Sequence, residues 1–475
     1  MSPEYQVVDI HQWLDGSLPL VDLRSSNDFD DHHLSFVSST NTSAKTSSSS
    51  SSSSSSLNHE DAPPIIVNLP LTSLVNGERA CELPPRHLKF AILIPNQYAQ
   101  SFLLNNDHND DCPIHKLFFA SKSKSTLQSR IPWQVKQVLI DDKKLWKEAS
   151  DMGLVTVRRN NSDYVSFMKL PRLWKPDPLL VTDILPLLKT WMLHQDTTTQ
   201  QDSLYGLVWD LGCGAGRDVC YLAEEMKEIQ YNSLLLHAKQ QQQQGQGQHQ
   251  KNQFTRSIHI VGVDNHKGSE KRCQLLWTNR NVHDVTESII WDLNKLHLVR
   301  QLLMNPMSHL QNLQHQTKQI NKPDIVCIYA VRYLSRKLFS YIANSHSVTY
   351  SNDEPLETNN AAILSHYYTK STIHEQPPPL VTPIGTIVAI SHFCKPTENA
   401  DWDFDHPKES NVLERFELEH MFTVNDVVNV VNDDDDDDDD NDNAQARRWH
   451  ILKNDIIMDG DHGRTLIQFV ARKVA

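Results

Sequence analysis

Residues 207–218 read Leu-Val-Trp-Asp-Leu-Gly-Cys-Gly-Ala-Gly-Arg-Asp, and this stretch constrains the rest of the chain. Leu207, Val208 and Trp209 form an apolar run typical of a buried strand, and Asp210 ends it. Gly212, Gly214 and Gly216 then alternate with Cys213 and Ala215. From Asp218 to Lys227, Val219, Leu222 and Met226 fall on one face of a helix. Strand, glycine loop and helix in that order form a nucleotide-binding turn. Glycine is required because the loop bends sharply and lets a ligand touch the backbone. The bland alternative is an ordinary tight turn between a strand and a helix.

The glycine spacing separates one nucleotide fold from another. A dinucleotide fingerprint places its third glycine three residues after the second, and that position is Arg217. The pattern here is acid-x-Gly-x-Gly-x-Gly, from Asp210 to Gly216. It resembles motif I of the class I S-adenosylmethionine-dependent methyltransferases. The resemblance implies S-adenosyl-L-methionine as cofactor, with the loop Gly212, Cys213, Gly214 and Gly216 around its methionine part. It also implies that Asp210 faces the cofactor's ammonium or an ordered water.

The chain downstream repeats the order strand, helix, strand. Residues 257–263 form a second strand ending at Asp264, where an acid accepts hydrogen bonds from ribose hydroxyls; the alternative for Asp264 is a helix N-cap. The loop-to-acid gap exceeds the usual twenty or so residues, and the glutamine-rich tract 240–250 accounts for much of the excess as a surface insertion. Residues 271–277 fit the next helix, and 288–293 fit a third strand with Asp292 after its apolar part. By resemblance, Asp292 meets the adenine amino group and Leu293 flanks the ring. Residues 324–329 are a fourth strand, with 330–333 at its carboxyl end, where open sheets bind ligands. Residues 386–391 are a fifth, with His392 and Phe393 at its tip. Residues 449–452 and 465–470 read as a final antiparallel pair turned by 460–463. Seven strands with that ending resemble the methyltransferase sheet over roughly 200–475, with insertions at 345–380 and 432–445.

The first 150 residues carry a second resemblance. A possible strand-to-helix passage at 7–14 precedes an apolar strand at 18–23 that ends Asp22-Leu23-Arg24, followed by Asp28, Phe29 and His33. Ile65-Ile66-Val67-Asn68-Leu69-Pro70 suits the next strand, and 131–135 with Leu145-Trp146 suit the last strand and its close. This resembles a rhodanese homology domain, interrupted by a serine tract at 47–56 that cannot bury apolar surface and is expected to be a disordered insertion. A working rhodanese presents a cysteine in the loop after its central strand. Here that strand is 90–94 and the loop, 95–100, reads Pro-Asn-Gln-Tyr-Ala-Gln. Cys81 precedes the strand and Cys112 follows well after it in a polar stretch. Neither occupies the position where a reactive thiolate is stabilised, so the domain reads as a scaffold or substrate-positioning module.

The expected fold class is therefore α/β in two domains. A rhodanese-like α/β domain spans 1–150 and a linker with an N-terminal cap spans 151–200. A Rossmann-like seven-stranded methyltransferase domain with a terminal antiparallel hairpin spans 201–475. In the linker the prolines of 171–178 forbid a helix interior, and 181–193 look helical with Ile184, Leu187, Leu188 and Trp191 on one side. Arg172 and Trp174 either cap the cofactor site or, for Trp174, pack between domains. Arg332-Tyr333-Leu334 and the closing Phe469-Val470-Ala471-Arg472-Lys473 resemble eukaryotic rhodanese–methyltransferase fusions and small-molecule enzymes of the tellurite-resistance type.

Composition narrows the setting. Hydrophobic residues make up 39% of the 475, below the usual 45–50% or so of packed domains, as the low-complexity tracts require. The net charge is −14, but eight aspartates at 433–440 leave about −6 for the rest, which argues against wrapping a nucleic acid backbone. Seven scattered cysteines, with no Cys-x-x-Cys, fit a reducing compartment rather than a disulfide framework. No apolar run approaches a membrane span and the first 20 residues resemble no signal or transit peptide, so a cytoplasmic location without membrane partners is expected. The 24 histidines form no metal-binding motif, so no metal is expected.

Methyl transfer asks the protein mainly to align an acceptor with an already activated methyl group, so no particular catalytic residue is required. The fourth strand continues Tyr329-Ala330-Val331-Arg332 rather than the Asn-Pro-Pro-Tyr of amino-group methyltransferases. Arg332, Tyr333 and His392 are the candidate contacts for an acceptor that is a small molecule, RNA or protein. A scaffold with a vestigial cofactor site and an active sulfurtransferase using Cys81 or Cys112 are the competing readings. The sequence leaves the oligomeric state open.

Overall fold

The computed structural model describes residues 5–35, 64–104, 112–119, 133–156, 169–193, 205–244, 256–310, 323–348, 380–397, 401–402, 404, 407–423, 448–459 and 464–474. The serine tract 47–56, the glutamines 245–250, the aspartates 433–440, the turn 460–463 and most of the insertion 345–380 lie outside them. The chain divides into two compact units, Met1–Lys175 and Pro176–Ala475.

The first unit is built on a parallel sheet. Its strands are β1 (Gln6–Val7), β2 (Leu20–Asp22), β3 (Ile66–Asn68), β4 (Lys89–Ile94) and β5 (Gln134–Ile140), in the spatial order β1-β5-β4-β2-β3. Helices α1 (Ile10–Gly16), α2 (Ser26–Asp31), α3 (Leu71–Val75), α4 (Asn96–Leu104) and α5 (Lys143–Asp151) connect and cover them. The central strand β4 is apolar on both faces because both are covered. Phe90, Ile92 and Ile94 pack with Phe102 and Phe118 on one side, and Ala91 and Leu93 pack with Ile10, Trp13 and Leu145 on the other. Asp9 caps α1 in a reciprocal arrangement with Gln12, and Asp142 caps α5. Residues beyond 150 still belong to this unit: Val155–Thr156 pairs antiparallel with His33–Leu34.

The second unit opens with a helical segment that runs from a π-helical turn at Leu180–Ile184 into α6 (Leu185–Leu193). Its strands are β6 (Tyr205–Leu211), β7 (Ser257–Asp264), β8 (Thr286–Ile290), β9 (Asp324–Val331), β10 (Ile387–Phe393), β11 (Trp449–Asp459) and β12 (Arg464–Lys473). They form a seven-stranded sheet ordered β8-β7-β6-β9-β10-β12-β11. The first five run parallel, and β12 is antiparallel to both of its neighbours. The helices are α7 (Arg217–Gln244), α8 (Lys267–Asn279), α9 (Leu296–Met304), α10 (Arg336–Ala343) and α11 (Glu417–Thr423). Leu207, Trp209, Val261, Ile328, Ile390 and Phe469 form one core face of this sheet beneath α9, α10 and α11. Connections leave β6 and β9 in opposite directions across the sheet. The carboxyl ends of these two strands therefore form the switch point where ligands bind in such sheets.

Several expectations change at the element ends. The helix expected at 218–227 continues to Gln244, because its Glu, Lys, Leu and Gln residues are good helix formers after the apolar stripe ends. Gln240–244 are thus helical rather than part of a loop insertion. The third strand stops at Ile290, and Leu293 is buried in the core cluster of the second unit. The fifth strand runs on to Phe393 because His392 and Phe393 pair with Ile467 and Leu466 of β12. His392 therefore lies within a strand and not at its tip.

Candidate functional site

The loop after β6 is hooked onto the end of β7. Gly212 and Cys213 both donate their backbone N–H to Val263 O, at 2.8 and 3.1 Å, and Gly216 N–H donates to Cys213 O at 2.9 Å. Gly212, Gly214 and Gly216 have φ of +86°, +59° and +71°, a region costly for any residue with a β-carbon. Their surroundings differ. A β-carbon at Gly212 would lie 2.6 Å from Cβ and Cγ of Tyr333, and one at Gly216 would lie 2.7 Å from Cys273 Sγ and 2.9 Å from the Trp277 ring. Gly214 has nothing within 4 Å. Two glycines thus allow the protein to pack on itself, and the middle one faces open space at the start of α7, where backbone amides and the helix dipole are available to a ligand.

Acids surround this opening. Asp264, at the end of β7, accepts from Gly214 N–H at 2.9 Å and from His266 N–H at 2.7 Å. The N-cap of α8 is His266, which accepts from Gly268 N–H, so Asp264 is not the cap. Asp292 accepts from Asn294 N–H at 3.1 Å, lies 3.6 Å from Lys295 Nζ, and its side chain is 39% exposed. Asp210 is only 2% exposed. Burial first, and then the charge of Asp218, push its carboxyl well up from the ordinary range, with the Tyr329 hydroxyl offsetting part of the effect. Among the described residues, no cationic side chain forms an ion pair with Asp210 or Asp264.

Asp177 and Asp218 also belong to this group. Asp177 accepts from Leu179 N–H and from Ser391 Oγ, each at 3.0 Å. The Asp218 carboxyl is pushed up to about 7, chiefly by burial and next by the Asp177 charge, while the Asp177 backbone N–H, Arg332 and Arg217 pull it down. Asp218 is in the first turn of α7, two residues past the last glycine. That offset was a legible signal; Asp177, between two prolines, carried none.

The remaining candidates fall in different places. Arg332 is one of three non-glycine residues described with positive φ, at +56°, and its N–H donates to Ser391 O at 2.7 Å. Tyr333 packs against Gly212, and its phenol is pushed up by burial, then by Asp292 and Asp264, with Ser335 pulling it down. Tyr333 thus lies beside the two acids assigned to the cofactor. His392 is buried, and its Nε2 is 2.8 Å from Asn411 O; burial lowers its pKa. Its ring is engaged by the protein, which removes it from the open site. Arg172 and Trp174 are part of the first unit, where Leu173 joins the core. No group of three or more metal-ligating side chains occurs among the described residues, and none of their helices is long and apolar enough to cross a membrane.

No family model matches the chain, and no curated protein matches it. Among solved structures it is similar to the [4+2]-cyclase SpnF, at 9% identity and a TM-score of 0.29 over 62% of this chain and 80% of that one. It is similar to TehB from Haemophilus influenzae, at 11% and 0.24 over 56% and 57%. It is also similar to a SAM dependent methyltransferase from Aquifex aeolicus, at 13% and 0.26 over 63% and 94%. Likeness at this level leaves the function to be argued from the site.

Proposed function

We propose that the second unit binds S-adenosyl-L-methionine and transfers its methyl group to an acceptor, and that the first is a rhodanese-like module without sulfurtransferase activity. The observation that carries the reading is the open approach to Gly214 beside Asp210 and Asp264, two acids to which no cation is paired among the described residues. Such a site suits a ligand that is itself cationic, and the cofactor carries an ammonium and a sulfonium. When bound, it supplies a methyl group already activated by that sulfonium. The chain's own part is to hold and orient. The N-terminus of α7 presents donors, Asp210 is placed for the ammonium, Asp264 for the ribose hydroxyls and Asp292 for the adenine amine. Tyr333 walls the cleft over Gly212. Arg332, fixed by its bond to Ser391, faces the carboxyl end of β9, where an acceptor would enter. The acceptor class stays open among small molecules, RNA and protein.

In the first unit, the loop after β4 is only Pro95 before α4 begins at Asn96. Cys112 is 2% exposed within the core and Cys81 sits in a separate turn at Ala80–Glu82. Neither is at the end of the central strand, which supports a positioning or scaffolding role.

Calorimetry with S-adenosyl-L-methionine tests the central claim. Micromolar binding supports it, and no detectable heat from the folded chain leaves the scaffold reading instead. Incubation with cofactor labelled in the methyl group and fractionated extract would then show whether label enters RNA, protein or small molecules.

A further inference from the structure

We propose that Cys213 and Cys273 form an oxidisable dithiol, and that its closure to a disulfide disables the glycine loop. The proposal rests on the reading of that loop as the cofactor site. Cys213 and Cys273 are free thiols, and these two sulfurs approach to 3.9 Å from different elements. Cys213 comes from the loop after β6 and Cys273 from α8. The intervening chain makes room for the approach. Gly262 interrupts the apolar run of β7 where a β-carbon would meet Cys213 Sγ at 2.9 Å. Gly216 does the same for Cys273, whose Sγ would be 2.7 Å from a β-carbon there and lies 3.7 Å from Gly214 O. Cys213 is partly exposed and Cys273 is buried, which sets the order of events.

With hydrogen peroxide as oxidant, the Cys213 sulfur attacks one oxygen. The O–O bond breaks, one water leaves and a sulfenic acid remains. The Cys273 sulfur then displaces the sulfenic oxygen, the S–S bond forms and a second water leaves. In sum the protein loses two hydrogens and peroxide becomes two waters. A dithiol reductant reverses the step by exchange. The hydrogen bond to Cys273, burial, and the nearby Asp210 and Asp264 hold the Cys213 thiol protonated, so closure needs sustained oxidant exposure.

A disulfide requires the sulfurs to close from 3.9 Å to about 2.05 Å. Cys273 is fixed by its helix and by the packing of Gly216 and Trp277. The movement therefore falls on the loop and draws Gly214 N–H away from Asp264. Cofactor covering the open side of Cys213 would shield it and slow the oxidation, and linkage requires that bound cofactor also disfavour the disulfide at equilibrium.

The test uses the full chain treated with hydrogen peroxide, mapped without reduction, and titrated with S-adenosyl-L-methionine before and after treatment. The expected result is a peptide linking Cys213 to Cys273, formed more slowly with cofactor present. Affinity should fall about tenfold or more, the scale of one charge-assisted hydrogen bond, and dithiothreitol should restore it. Cys273→Ala, or Cys273→Ser if the first does not fold, should lose no affinity on the same treatment relative to its own untreated form. Oxidation without that linkage, or linkage with unchanged affinity, overturns the proposal. If the reduced chain binds no cofactor at all, the reading of the site fails, and the linked peptide alone decides whether the dithiol exists.

Discussion

The two units solve the same geometrical problem in opposite ways. Each has a wholly or mostly parallel sheet with a long, buried central strand that leads into a helix, and each collects acids at the carboxyl ends of its parallel strands. In the first unit those ends are closed from within. Arg24 is buried and donates to both oxygens of Asp22, at 2.7 to 3.1 Å, and to His32 O at 3.0 Å, while its guanidinium lies 4.4 Å from the centroid of the Trp146 ring. Trp146 in turn donates to Asp141, just past β5. In the second unit no cation pairs with Asp210 or Asp264 among the described residues, and the loop beside them keeps a gap over Gly214. The same architecture yields a filled edge where an arginine neutralises the acids and an open one where they await a positive ligand.

The largest effect should come from breaking the filled edge. Asp22→Ala leaves Arg24 buried without its partner, which costs about 3–5 kcal/mol. Chemical denaturation of the full chain should show the first unit unfolding much earlier. Because the core of the second unit does not use Arg24, cofactor affinity should persist at denaturant concentrations where the first unit has melted. Loss of both together would mean that the units stand or fall as one.

The next pair separates packing from opening within the loop. Gly216→Ala adds about 1–3 kcal/mol of overpacking against Cys273 and Trp277 to a left-handed backbone cost of about 1–2 kcal/mol. Gly214→Val incurs only the backbone cost, since its side chain enters open space, yet it should abolish cofactor binding. Thermal melts and calorimetry of the two variants should therefore rank in opposite orders. A folded Gly214→Val protein with parental affinity would show that the ligand approaches elsewhere.

What the sequence made legible follows from which interactions leave a local pattern. Strand cores show as apolar runs and the loop shows as glycines, so β6, β7, β9 and the order of elements could be read directly. Contacts that depend on which helix face meets which loop leave no such trace. Cys273 and Trp277 look like ordinary residues of an amphipathic helix, and only the fold puts them against Gly216. His392 was misplaced because pairing with β12, nearly eighty residues away, extends its strand. Asp177 became visible only through its bonds to Leu179 and Ser391.

A smaller effect concerns the acids themselves. Asp218 has an ordinary carboxyl value of 3.8 when unfolded and is pushed up to about 7 in the fold. The folded state thus holds its proton more tightly, so this group's contribution to stability is full below about pH 4 and is lost as the pH rises to about 7. Asp218→Asn keeps the oxygen that accepts the Asp177 N–H but cannot ionise. The variant should gain on the parent in melting temperature across that interval and hold a constant advantage above it. Equal slopes for parent and variant would place the titrating group elsewhere, with Asp177 and Asp210 the next to test.

The smallest effect is expected from removing chain. Residues 47–56, 245–250 and 433–440 are polar and of low complexity, and their sequences offer almost no apolar surface to bury. Each falls between elements of the fold, and closing a loop costs only with the logarithm of its length. The aspartates add mutual repulsion, which resists compaction. Deleting the three should leave melting temperature and cofactor affinity nearly unchanged. The glutamine-rich tract gives this prediction its edge, because Gln240–Gln244 continue α7 and 245–250 lie outside the described residues. Trimming 245–250 should be silent. Trimming back into 240–244 removes helical turns far from Arg217, and affinity should still hold, since Asp264 is fixed by Gly214 and His266 rather than by the end of α7. A large loss of affinity in the longer deletion alone would mean that the length of α7 sets the register of β7, and with it the position of the acid.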